Sequence, residues 1–450
     1  MEQEKKYSYW LSSGIYSGLQ KLAVLFFGFG SMLILVRHLT KDEMGIWSLF
    51  LVMTGLIEVI RTALIKNGLI KFLNSTQKEE HVFVNSAAMC LNIGITLAFG
   101  LAIATLSVPL NNLLKAPALT PVLYKFLPGL LCLIPFSHFE WIQNANADFK
   151  GVFFAYFMRQ GTAFGLIVAH LFTQGSVTLD SLILYYNIGI VVGTAASYYF
   201  ARKFLLRNFV VKKEWILKLW HFGKYVFGTN FSAMVFRNTD QFIVSSFFSP
   251  AAVALYSVCV RISNLVDVPS QVLGDILFPK SAKVMEEGNI GKVKYLYEKA
   301  VGALLAIGLP VSIFIFCLPK FVLWVIAGQE YMEAAYLLQI TMVYGLFLPF
   351  VKQFGTIMDS TGHPQWNFTV LTVTAVINIG ICYVFAKYFG LQGAALATLT
   401  TYILSFAVMQ TILHRKFGVQ VGNVFKYMFQ FYPDMLQIVQ QRLLWKWKTR

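Results

Sequence analysis

The sequence predicts an all-α polytopic membrane protein of about twelve transmembrane helices, built as two six-helix bundles related by a parallel internal repeat. Three observations lead there. Of the 450 residues, 57% are hydrophobic and only 13% are charged. The apolar residues fall in long runs with short polar breaks, the pattern of successive membrane crossings. Parts of the first half of the chain also return, in order, in the second.

Twelve runs come close to the roughly 20 residues needed to cross a bilayer. They are 11–36, 45–65, 82–107, 122–147, 152–172, 182–201, 225–248, 252–278, 298–318, 332–358, 366–386 and 392–413. The first follows Lys5 and Lys6 and is too long for the apolar part of a signal peptide. The fourth is interrupted by Pro128, Pro135, Glu140 and Asp148. Lys and Arg set the orientation, because they are retained on the cytoplasmic side. With the N-terminus inside, the inside segments hold 24 basic residues and the outside loops 5. Both termini are therefore expected in the cytoplasm. This distribution accounts for most of the net charge of +16 without a nucleic-acid partner. The cysteines Cys90, Cys132, Cys259, Cys317 and Cys382 all lie in apolar runs, so neither a disulfide framework nor a metal site is expected.

Two inside segments are more than connectors. The run RKFLLRNFVVKKEWILKLWHFGKY (202–225) interleaves basic residues with Trp215, Trp220 and Phe222. The tail MLQIVQQRLLWKWKTR (435–450) sets Leu436, Val439 and Leu443 at helical spacing. Both read as helices in the cytoplasmic interface, anchored to anionic lipid. The expected organisation is an N-terminal lobe over 1–201, a basic amphipathic linker over 202–224, a C-terminal lobe over 225–413 and a cytoplasmic amphipathic tail over 414–450.

The repeat shows in GIWSLFLVMTGLIEV (45–59), which aligns with ALYSVCVRISNLVDV (254–268). Ser48 matches Ser257, Leu56 matches Leu265, and the acid Glu58 matches Asp267. VPLNNLL (108–114) and LPKFVLW (318–324) follow at nearly the same offset, as do the PF pairs at 135–136 and 349–350. An even number of spans per copy puts both copies into the membrane in the same direction, as in parallel-repeat transporters.

Charges within the spans mark the candidate site. Each costs roughly 2.5–3.5 kcal/mol on insertion scales, so it has to face a cavity or a partner. Lys21 shares a face of span 1 with Ser13 and Ser17. Thr54, Glu58 and Arg61 share one face of span 2. Span 7 carries Asn230, Arg237, Gln241 and Ser245 in a stripe, with Asp240 to one side. Span 8 carries Arg261, Asn264, Asp267, Gln271 and Asp275, and span 10 carries Lys352, Thr356 and Asp359. Five cations (Lys21, Arg61, Arg237, Arg261 and Lys352) outnumber the deep acids Glu58, Asp240 and Asp267, which suits an anionic substrate. We assign the cations, with Asn230, Gln241, Asn264 and Gln271, to substrate binding, and the three acids to ion coupling or charge pairing. The competing structural reading pairs Arg61 with Glu58 and Arg237 with Asp240, each three residues apart on one helix. GIYSG (14–18) is a small-xxx-small pattern expected at a close helix contact, and Pro269, Pro310 and Pro349 are expected to kink their helices.

No HExxH, GxSxG, Walker A or CxxC motif is present, and no outside loop exceeds roughly 15 residues, so an enzyme is not expected. The segments RHLTKDEMGIWSL, FRNTDQFIVSSFFSPAAVALYS, IAGQEYMEAAYLLQI and GLQGAALATLTTYI resemble the bacterial polysaccharide flippases. That family shares a superfamily with lipid II flippases and multidrug-extrusion antiporters. The resemblance covers residues 8–413. It implies two six-helix lobes in a V around a central cavity. It also implies alternating-access transfer of an undecaprenyl-pyrophosphate-linked oligosaccharide from the cytoplasmic to the periplasmic leaflet of the bacterial inner membrane, coupled to an H+ or Na+ gradient, for O-antigen, capsule or exopolysaccharide. Membrane lipid and other polysaccharide-assembly proteins would be its partners, with no cofactor. The resemblance carries over no fixed site residues. A drug or organic-cation antiporter, which would favour an acidic cavity, a lipid II flippase, and a polymerase or ligase needing a large periplasmic loop stay open.

Overall fold

The computed structural model describes the backbone of residues 2–206 and 208–448, and the side chains of residues 15–206, 208–224 and 226–437. Every regular element among them is helical. In chain order the α-helices are α1 (Glu2–His38), α2 (Lys41–Arg61), α3 (Asn67–Ser75), α4 (His81–Leu114), α5 (Leu119–Ala145), α6 (Phe149–Gln174), α7 (Leu179–Ala201), α8 (Lys213–Phe247), α9 (Pro250–Val266), α10 (Val268–Glu286), α11 (Ile290–Cys317), α12 (Pro319–Ala327), α13 (Ala335–Gly345), α14 (Leu348–Ser360), α15 (Pro364–Phe417) and α16 (Val421–Lys448). A π-turn over Thr62–Lys66 joins α2 to α3 without a break.

Among the described residues, nine helices are long and apolar enough to cross a membrane, or ten if the bent pair α9–α10 counts as one span. Six of the nine fall between residues 15 and 201. The 54 residues of α15 would run about 80 Å as one rod, against a hydrocarbon core of about 30 Å. Gly390 resolves this: at φ +65 it breaks the helix into two arms, a conformation that a side chain disfavours. The span expected over 225–248 ends one residue beyond α8, which is not among the nine.

Helix starts follow the local sequence. Thr40 caps α2 in a capping box: the Glu43 N–H donates to the Thr40 hydroxyl oxygen and the Thr40 N–H to the Glu43 carboxylate. Asp148, Thr178 and Asn289 cap α6, α7 and α11 in the simpler way.

The chain divides into two compact units, one of residues 1–234 and 248–254, the other of residues 235–247 and 255–450. In the first unit α5, α6 and α7 pack closely, and glycine sets the distance. A Cβ at Gly189 would lie 2.5 Å from the Arg159 carbonyl oxygen, and one at Gly193 would lie 2.6 Å from the Arg159 Cβ. GIVVG (189–193) is thus the small-xxx-small contact of this unit. The expected contact at GIYSG is different: Gly18 faces open space.

The basic linker also departs from expectation. Trp215 and Leu219 are buried in a cluster with Leu64, Ile65, Leu69, Val84 and Trp141, so one face of this segment docks on protein. Leu217 and Trp220 remain exposed on the other. A Cβ at Gly223 would lie 2.0 Å from the Leu64 carbonyl oxygen, so α8 touches the backbone of the π-turn.

In the second unit α11, α14, α15 and the first half of α16 share one core. Val424 and Met428 are buried there, the Tyr432 hydroxyl donates to the Ala306 carbonyl at 2.7 Å, and the buried Glu298 accepts from the Gln420 N–H and the Asn423 amide. The start of the tail helix is therefore part of the lobe. Leu436 is exposed, and the side chains of Val439 and Leu443 lie outside the described residues.

Overpacking a tight helix contact costs about 1–3 kcal/mol. Gly193→Val should destabilise the protein by about that much, whereas Gly18→Val should leave it unchanged; thermal unfolding of the purified variants in detergent distinguishes the two.

Candidate functional site

Each unit holds its own centre of buried charge. In the first, Arg159 on α6 is 4% exposed, and its two terminal nitrogens reach both oxygens of Glu58 on α2, at 2.5 and 3.3 Å. This bidentate geometry is the strongest available to a carboxylate. The same guanidinium donates to the Tyr186 hydroxyl at 3.2 Å and lies 5.0 Å from the centre of the Phe136 ring. Gly189 and Gly193 let α7 approach the backbone that carries Arg159. Arg159 is absent from the residues singled out above, although its signal is plain in the sequence: an arginine well inside the apolar run 152–172.

Arg61 does not pair with Glu58. It is 1% exposed, and its Nε and Nη2 both donate to the Asn92 side-chain oxygen on α4, at 3.1 and 2.6 Å, with Nη2 also reaching the Leu133 carbonyl on α5. The Asn92 amide donates in turn to the Ile134 carbonyl. The local pair fails because Glu58 is the counter-charge of Arg159, which would otherwise be a buried cation without one. One turn further on, Lys66 closes the π-turn and pairs with Glu140 at 2.8 Å, and the Asn144 amide also donates to that carboxylate. A π-turn shifts the side chains that follow it around the helix, and such turns recur at functional positions.

In the second unit Asp267 is 5% exposed and occupies the break between α9 and α10, which meet at 44°. Pro269 starts α10, so the expected kink is a full interruption. Asp267 forms an ion pair with Lys352 of α14. The Gln353 amide donates to the Ser270 carbonyl at 2.9 Å. Asp240 is 3% exposed and accepts from the Tyr256 hydroxyl at 2.6 Å and from the Gln241 N–H at 2.9 Å. The expected Arg237–Asp240 pair is not formed: Asp240 is turned into the packing against α9, and Arg237 is exposed, within electrostatic range of Asp267 and Lys352.

The other predicted residues scatter. Lys21 and Asn230 are exposed in the first unit; Asn264 and Gln271 are exposed and Arg261 half-buried in the second. Gln241 and Ser245, expected on a hydrated stripe, are buried. The geometry thus joins Asp267, Lys352 and Arg237, and separates Arg61 and Asp240 from the exposed cations.

A family model described as polysaccharide biosynthesis protein matches residues 34–336, about two thirds of the chain. The chain belongs to this family. A curated relative, named a probable low-salt glycan biosynthesis flippase in Haloferax volcanii, is 20% identical over 196 residues, covering 44% of this chain and 40% of that protein. An uncharacterised membrane protein of Methanocaldococcus jannaschii is 24% identical over 54% of this chain and 48% of its own length. The chain spans less than half the length of these two curated relatives. Its fold is that of the lipid II flippase MurJ in an inward closed conformation, with a TM-score of 0.77 at 13% identity over 96% of this chain and 93% of that one. An inward-facing multidrug transporter of the MATE family in the MOP superfamily is equally close, with a TM-score of 0.76 at 14% identity over 90% of this chain and 98% of that one.

Breaking a buried ion pair from one side costs about 3–5 kcal/mol, because the other charge is stranded. Arg159→Ala should destabilise the protein by less than that, because the Glu58 it strands is 29% exposed. Adding Glu58→Leu should recover part of the loss, which a double-mutant cycle in thermal unfolding reads directly.

Proposed function

We propose that this membrane protein is a non-catalytic flippase that moves a polyprenyl-pyrophosphate-linked oligosaccharide from the cytoplasmic to the periplasmic leaflet in surface-polysaccharide synthesis. The observation that carries the reading is a pair of arginines, Arg237 and Arg261, on the spanning helices of the second unit, outside the ion pairs formed there. The acids Glu58, Asp240 and Asp267 are engaged by Arg159, Tyr256 and Lys352 respectively. The cations Lys21 and Arg237 are exposed, and no acid pairs with the half-buried Arg261 among the described residues. Among the described residues no ion pair holds Arg237 or Arg261 in the second unit, and arginine forks match the oxygens of a pyrophosphate. The family, and the glycan flippase named among the relatives, agree with that chemistry.

The same proposal includes twelve spans from a duplicated six-span unit, both termini in the cytoplasm of a bacterial inner membrane, alternating access, and coupling to an ion gradient. Glu58 and Asp267 hold matching places in the proposed copies, and each lies beside a helix irregularity, the π-turn after α2 and the break before α10. Arg237 and Arg261, with Asn264 and Gln271, are the residues of the second unit proposed to meet the substrate, and Lys352 joins them when its pair with Asp267 opens. Arg61 and Gln241 are too buried for this role in the present conformation.

The multidrug transporter of nearly equal TM-score supports a second reading, export of an organic cation. Surface glycan and drug resistance separate the two. Arg237→Ala and Arg261→Ala should each reduce surface glycan by about tenfold or more, the loss expected for a charge-assisted contact, with membrane insertion unchanged. Normal glycan display in both variants, together with a resistance phenotype on overexpression, would favour the cation exporter.

A further inference from the structure

The turn after α11 is built unlike the other turns. α11 (Ile290–Cys317) and the segment Gln329–Ser360 are each long and apolar enough to cross a membrane. The chain that joins them therefore stays at one membrane surface. Other connections expose polar residues, such as Gln174 and Ser176 after α6, or Glu286, Glu287 and Asn289 before α11. Here the chain forms α12 instead. Its nine residues rise about 14 Å, too little to cross a hydrocarbon core of about 30 Å. Leu318, with a non-helical backbone, separates α12 from α11. Gly328 ends α12 at φ +94, a conformation that a side chain disfavours.

α12 is apolar on two opposite sides. Val322, Leu323 and Ala327 are buried, where the helix packs on the tight turn Gln329–Ala334 and on α13. The other side exposes Phe321 (51%), Trp324 (55%) and Val325 (46%), one face at i, i+3 and i+4. The Phe321 and Trp324 rings lie 6.3 Å apart. Polar groups bound this strip at both ends: Lys320 is exposed at the start of α12, and Gln329 and Glu330 just past its end.

We infer that α12 docks on the lipid leaflet at this end of the spans, with Phe321, Trp324 and Val325 among the acyl chains just below the headgroups and Lys320 at the lipid phosphates. Two observations favour lipid over a second protein. The strip continues the exposed apolar end of α11, where Ile313, Phe314, Phe316 and Leu318 face outward, so the lipid around that span already reaches the start of α12. Three side chains also fall far short of the roughly 20–30 residues a side of a stable protein interface. The residue types suit the depth: Trp is enriched where hydrocarbon gives way to headgroups, and short helices with an aromatic face and flanking charge lie in that plane. Docked in this way, α12 fixes the level at which the chain leaves α11 and enters the returning span. The identity of the leaflet, periplasmic, rests on the orientation proposed above; the docking does not.

The test reads Trp324 by difference between the wild type and Trp324→Phe, which keeps the face apolar. Both are reconstituted in phosphatidylcholine vesicles whose acyl chains carry bromine near the headgroup or near the chain ends, and in unbrominated vesicles with iodide in the water. The Trp324 emission should fall most with shallow bromine, less with deep bromine and least with iodide. Quenching by iodide with none by bromine overturns the docking. So does shielding from both quenchers in discs that hold a single copy, which places the face under the protein itself. Shielding that disappears when copies are diluted to one per disc overturns it too, in favour of a contact between copies. Lys320 reports the leaflet: in right-side-out membrane vesicles an impermeant amine reagent should label it, with Lys320→Arg as the control. Bromine quenching with Lys320 labelled only in inverted vesicles supports the docking and counts against the orientation alone.

Discussion

A charge in hydrocarbon has to find its opposite inside the protein, and the bond between Arg159 and Glu58 is where that requirement organises the first unit. The guanidinium is almost wholly buried and takes both oxygens of one carboxylate. Arg159 reaches from α6 across to α2, and α7 packs against α6. The second contact is possible because Gly189 and Gly193 present no side chain to the Arg159 backbone. With Glu58 committed, Arg61 must look elsewhere, and it reaches Asn92 and the Leu133 carbonyl of α5. The polar residues of this unit are thus assigned in sequence, each choice limiting the next.

The second unit meets the same requirement with a different partner. Asp267 also pairs with a basic residue, but its counter-charge is a lysine from α14 rather than an arginine from α6. The difference matters chemically. A bidentate guanidinium is held by a fixed fork, while an ammonium is a single mobile charge on a flexible stem. Lys352 is also partly exposed, where Arg159 is not. Each pair has one buried and one partly exposed member: Arg159 and Asp267 are buried, Glu58 and Lys352 are not.

Irregular helix geometry places these groups. The π-turn at Thr62–Lys66 directs Lys66 to Glu140 on α5. The interruption at Asp267 turns the chain by 44° and brings Ser270 under the Gln353 amide. Backbone freed from regular hydrogen bonding is tolerated at membrane depth only where it is buried in protein or lines a cavity. Both breaks sit beside ionised side chains, consistent with polar interiors rather than lipid contact.

The sequence by itself determined the membrane class and the positions of the intramembrane charges, because each depends on local composition and spacing. The family resemblance could be read from short segments for the same reason. Partner choice was not legible. Glu58 and Arg61, or Arg237 and Asp240, are neighbours along one helix, and local spacing made them the obvious pairs. The tertiary structure gave Glu58 to a residue 101 positions away and Lys352 to one 85 positions away, because burial raises the value of the best geometry above that of the nearest neighbour. It likewise made GIVVG rather than GIYSG the close helix contact, and drew the linker and the start of the tail helix into protein cores. A small-xxx-small pattern or an amphipathic face states that a contact is possible; only the packed helices decide which surface fills it.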